Sequence, residues 1–111
     1  MPMPKMGADG RRRSLCYDPQ REKYISFDDI VLGREKIVPI ERLSEEDFKK
    51  LVIRRWQLLP EERTVQSISG PPYSRDDVIR AIEQDEPFGK MTVEAERPTL
   101  RELLEEIRRN L

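Results

Sequence analysis

Residues 44–60 read SEEDFKKLVIRRWQLLP, and this stretch decides the fold class. Ser44 offers a side-chain oxygen to free backbone amides, and Glu45, Glu46 and Asp47 put negative charge where a helix dipole is positive. A helix is therefore expected to begin here. Phe48, Leu51, Val52, Trp56 and Leu59 recur at three- and four-residue intervals and fall on one face, flanked by Lys49, Lys50, Arg54 and Arg55. Pro60 has no amide to donate and is expected to end or kink the helix.

Downstream, the same grammar repeats. Glu61 to Ile68 is expected to add a further turn or two, and Ser69-Gly70-Pro71-Pro72 is a breaker that marks the best internal boundary. Ser74-Arg75-Asp76-Asp77 opens a second, short helix whose apolar side is Val78, Ile79, Ala81 and Ile82. Met91, Val93 and Ala95 suggest another helical stretch before Pro98. Thr99-Leu100-Arg101-Glu102 then reads as a capping box that starts a terminal helix, with Leu100, Leu103, Leu104, Ile107 and Leu111 in register.

Upstream, the period changes. Ser14 to Tyr17 and Tyr24 to Phe27 are short apolar runs around Asp18-Pro19, where Pro presets a turn angle and Asp can accept from an amide two residues on. This predicts a β-hairpin. Ile30-Val31-Leu32 and Ile37-Val38-Pro39-Ile40 each read as a strand or an extended docking segment, and Pro39 argues against a central strand. Residues 1–13 mix Pro, Gly and charge without an apolar period, which predicts a flexible arm. The expected architecture is mainly α, formally α+β. It comprises the arm over 1–13 and a single small domain over 14–111, with hairpin and extended segment in 14–43 and a three- to four-helix part in 44–111.

Composition narrows the function classes. With 36% hydrophobic and 39% charged residues in 111, a thin core is expected, of the kind completed by oligomerisation or by docking on a larger protein. The net charge of -1 gives no global field towards polyanions; only Lys5 to Arg13, locally +3, could touch one, through Arg11, Arg12 and Arg13. Those arginines come without interleaved aromatic side chains, so phosphate attraction is expected without base readout. The lone Cys16 rules out an intrachain disulfide, and no apolar run approaches a membrane span, so a cytoplasmic chain is expected.

The chain has no His, which removes Ser-His and Cys-His catalysis and the usual zinc ligand sets. Glu45-Glu46-Asp47 and Asp76-Asp77 follow a Ser at helix starts and read as caps, while Asp28-Asp29 reads as a turn element. No enzyme activity, metal, cofactor or small-molecule substrate is expected. The functional expectation is an accessory or adaptor protein that binds a protein partner, or a second copy of itself, through amphipathic helices and the extended segment. Trp56, Arg54 and Arg55 are candidate contacts because Trp and Arg dominate binding hot spots. Leu100, Leu103, Leu104 and Ile107 either lie in a partner's groove or close this chain's own core. The alternative is a regulatory nucleic-acid binder of the antitoxin or small-repressor kind, using the basic arm.

Overall fold

The structure is a computed structural model that describes residues 3, 5–65 and 70–111. It is mainly α with small antiparallel β elements, as the sequence predicts. Strands β1 (Ser14–Asp18) and β2 (Lys23–Ser26) form the expected hairpin. Its turn is held by Asp18, whose carboxylate accepts from the Gln20 amide at 3.1 Å. The register shifts between Ser14 and Cys16, so Leu15 and Cys16 are both buried rather than alternating in and out. A strand covered on both faces requires this, and β1 packs against the central helix on one side while the Val38 amide reaches Cys16 from another segment.

The 28–43 region differs from expectation. Phe27–Val31 is a helix, α2, and Ile40–Arg42 is a 3₁₀ turn; neither is a strand or an extended docking segment. Ser26 and Asp29 form a reciprocal capping box at the start of α2. Gly33, at φ 76°, ends it: the Gly33 amide donates to the Ile30 carbonyl and the Arg34 amide to the Asp29 carbonyl. This is the αL termination that Gly makes without steric penalty. Ile30 and Ile40 are buried, so the segment folds onto its own hairpin.

The N-terminal region also departs from a free arm. Ala8–Arg12 forms a one-turn helix, α1, and Arg11 lies over the Phe27 ring while its Nε sits 2.6 Å from Asp28. Met1, Pro2 and Pro4 of the expected arm lie outside the described residues.

The central helix α3 (Glu45–Gln57) begins at the Ser44 cap, where the Asp47 amide donates to the Ser44 hydroxyl. It stops before Pro60, and Arg75 donates to the carbonyls of Gln57 and Leu59 that the ending leaves free. The further helical turn expected after Glu61 is replaced by β3 (Thr64–Val65), paired with β4 (Tyr73–Ser74); residues 66–69, including part of the expected breaker, lie outside the described residues. Helix α4 (Arg75–Glu83) follows with the predicted Ser74 capping box, completed by Asp77.

The largest correction is at Pro98. Two helices were expected around it, but one helix, α5 (Pro87–Arg109), runs straight through. Thr99 does not cap; its hydroxyl donates to the Ala95 carbonyl one turn back. Pro98 and Thr99 are exposed, so the missing amide falls on the solvent side. Gly89, Val93, Leu100, Leu104 and Ile107 form one buried stripe, which a break at residue 98 would twist out of register. Gly89 sits where α5 crosses α4, and a Cβ there would run into the Ala81 backbone. A single connected core joins hairpin, α2, α3, α4 and α5, with Phe27, Phe48, Ile25, Leu51 and Leu100 fully enclosed.

Candidate docking groove

The sequence-named candidates separate in space. Leu100, Leu104 and Ile107 are buried in the core, and Leu103 packs against it, so the terminal stripe closes this chain's own core and is not free to lie in a partner. Arg54 is exposed, with its guanidinium 5.8 Å from the Tyr24 ring centre. Arg11 is held by Asp28, Arg12 is exposed, and Arg13 turns into the protein surface beside α3 and α5. Of the three arginines of the expected polyanion contact, Arg11 and Arg12 line one cleft with Arg34 and Arg54, while Arg13 lies apart from them.

Arg13, Arg55 and Trp56 do come together. They line an open groove of about 540 Å³ between α3 and the first half of α5. Its apolar wall is Trp56 with Val65, Phe88 and Met91. Phe88 is fixed by stacking on Tyr73 of β4, the rings 4.2 Å apart and 11° from parallel. Met91 is 59% exposed on the rim, one of the large apolar side chains left to solvent. Helical spacing explains the placement: Phe88, Met91, Thr92, Ala95, Glu96 and Thr99 follow the three- and four-residue row of one α5 face.

The polar end of the groove is electrostatically unbalanced. Arg55, 6% exposed, donates through Nη1 to the Ser14 carbonyl at 2.8 Å and through Nε to Glu96 at 3.3 Å. Arg13 shares this region, and burial followed by repulsion from Arg55 lowers its pKa to about 10, with Glu96 opposing and Arg63 adding to the shift. Two guanidinium groups, Arg13 and Arg55, thus share the groove with one carboxylate, Glu96. Arg13 Nε and Trp56 Nε1 are buried donors with no hydrogen-bond partner. Each such donor costs about 1–3 kcal/mol of desolvation until an acceptor is supplied.

The cleft between α3, α4 and α5, about 280 Å³, holds two ion pairs, Lys49 with Asp85 at 3.1 Å and Glu45 with Arg97 at 3.0 Å. Another collects Arg11, Arg12, Arg34 and Arg54 beside Asp28 and Asp29. The acidic pairs serve local structure, Asp29 and Asp77 as capping carboxylates and Asp28 as the partner of Arg11. Cys16 is buried in the core, and burial raises its thiol to about 11, which leaves it protonated and unreactive near neutrality. Among the described residues no helix is long and apolar enough to cross a membrane. No family model, no curated protein and no solved structure matches this chain.

Proposed function

We propose that the chain is a non-catalytic accessory or adaptor protein of the cytoplasm, and that a protein partner docks in the groove beside Trp56. The observation that carries this reading is an exposed apolar rim at Met91 on an open groove that Trp56, Arg13 and Arg55 also line. Isolated exposed apolar side chains are ordinary, but Met91 shares its groove with the apolar Trp56, Val65 and Phe88. The arrangement of Trp and Arg at the centre of an apolar surface also matches the chemistry of binding hot spots.

The nucleic-acid alternative needs Arg11, Arg12 and Arg13 to act as one basic patch, and the pairing of Arg11 with Asp28 favours the protein-partner reading over it. The proposal is tested by purifying the tagged chain from its native host. A stoichiometric partner is expected, lost on Met91→Asp without change in melting temperature, because the residue is exposed. A stable monomer with no co-purifying protein contradicts it.

A further inference from the structure

We infer that a second site, apart from the Trp56 groove, binds the phosphate of a phosphorylated side chain on a partner protein, in the cleft of about 330 Å³ where Arg11, Arg12, Arg34 and Arg54 converge. The two clefts share no lining residue, so this inference and the docking reading can fail separately.

Four guanidinium groups face two carboxylates, Asp28 and Asp29, so the cleft keeps two positive charges. Both carboxylates engage an arginine from its Nε side, Asp28 at 2.6 Å from Arg11 and Asp29 at 3.4 Å from Arg34, which orients these side chains and leaves their terminal amino groups over. The other oxygen of Asp29 accepts from the Ser26 amide, so this carboxylate is not free to neutralise a second arginine. Among the described residues no ion pair holds Arg12 or Arg54, and both are exposed, as is Arg34. The donors thus stand at the surface, within reach of a ligand.

Charge identifies that ligand. A phosphomonoester carries about -1.5 to -2 at neutral pH and several acceptor oxygens suited to forked N–H donors, whereas a carboxylate brings a single charge and leaves the cleft positive. Exposed arginines hold a small free ion weakly through water and salt, so the phosphate must arrive on a larger partner. A nucleic-acid strand spreads its charge along a backbone, but these arginines converge on one cleft, and a net charge of -1 offers no wider track. Tyr24, which also lines the cleft, is already engaged by Arg54 at 5.8 Å and by Tyr17 at 4.7 Å, so its ring is not free for a base to stack on. A cluster of arginines is instead the chemistry that reads phosphorylated motifs in proteins.

The test pans the full-length chain against peptide libraries carrying phosphoserine, phosphothreonine or phosphotyrosine, and against the same libraries unphosphorylated, with enriched peptides then titrated by fluorescence anisotropy. Phosphorylated peptides should be enriched, and Glu in place of the phosphorylated residue should cost about tenfold or more in affinity. Arg12→Gln and Arg54→Gln should each weaken binding by about tenfold, as loss of a hydrogen bond between charged groups predicts, and should leave the fold intact because both side chains are exposed. Arg80→Gln, exposed on α4 outside the cleft, should leave affinity unchanged. Equal enrichment with and without phosphate, equal binding of the Glu peptides, or binding indifferent to Arg12→Gln and Arg54→Gln overturns the inference, as does an equal loss on Arg80→Gln. Inorganic phosphate or a single-stranded DNA oligonucleotide bound as tightly as the best phosphopeptide also overturns it, assigning the cleft to a free ion or to nucleic acid, and so does an absence of binding by every probe.

Discussion

Arg55 brings a guanidinium into the seam where α3, α5 and β1 meet, and the cost of burying it is met by the Ser14 carbonyl and the Glu96 carboxylate. Removing one partner of such a buried pair is worse than removing both, because the survivor is left without compensation. Arg55→Leu is therefore expected to lower stability by about 3 kcal/mol in urea titration. The double substitution Arg55→Leu with Glu96→Leu should recover part of that loss, and strict additivity of the two single effects would contradict the pairing. At this scale the sequence was informative about identity but silent about partners. Arg55 and Trp56 stood out as hot-spot residue types. Nothing in the local pattern linked them to Arg13, Phe88 or Met91, which are remote in the chain and meet only through the packing of β1 and α5 on α3.

Helix ends were legible where a Ser cap preceded a helical apolar period, as at Ser44 and Ser74. At Ser26-Phe27-Asp28-Asp29 the same box and the terminating Gly33 were also present in the sequence, but the β-branched Ile30-Val31 pair favoured a strand reading. Tertiary burial of Phe27 and Ile30 decided the matter. At Pro98 the opposite happened: a capping box in sequence was overridden by the stripe that α5 buries on both sides of it. Pro98→Ala is accordingly expected to stabilise the protein by about 1–2 kcal/mol, since it restores an amide inside a helix, a gain partly offset by the unfolded-state entropy that removing the proline gives back. A lower melting temperature would argue that the helix breaks there. Gly89→Ala should act with the reverse sign. Alanine is favoured in a helix by about 1 kcal/mol, yet contact with the Ala81 backbone should turn this into a net loss of about 2 kcal/mol. A gain in thermal stability would show that α4 and α5 are less closely crossed.

Over the whole molecule, surface ion pairs tie the segment after α2 to the hairpin. Glu35, its side chain 10% exposed, contacts both Arg21 and Lys23 at 2.6 Å, and hydrogen bonds from these two hold its carboxyl at about 2, below the usual 4.5. Because the folded value lies below the unfolded one, this contribution is fully present above about 4.5 and disappears as pH falls towards 2. Denaturation midpoints should decline across that window in the parent chain and decline less in Glu35→Gln; equal slopes would contradict it. The mainly α architecture was readable from helical periods and caps, and the single core expected from chain length is one connected cluster among the described residues. What composition did not reveal is the groove, because orphaned donors exist only once the chain has folded. The central claim, that this groove is where a partner binds, is tested most directly by photo-crosslinking in the native host. A photoreactive residue is placed at Met91 or at Leu32, which is 62% exposed and lies outside the groove. The account predicts a specific intermolecular adduct from position 91, absent from position 32 and suppressed by Arg13→Gln. Equal labelling from both positions, or none from position 91, would contradict it.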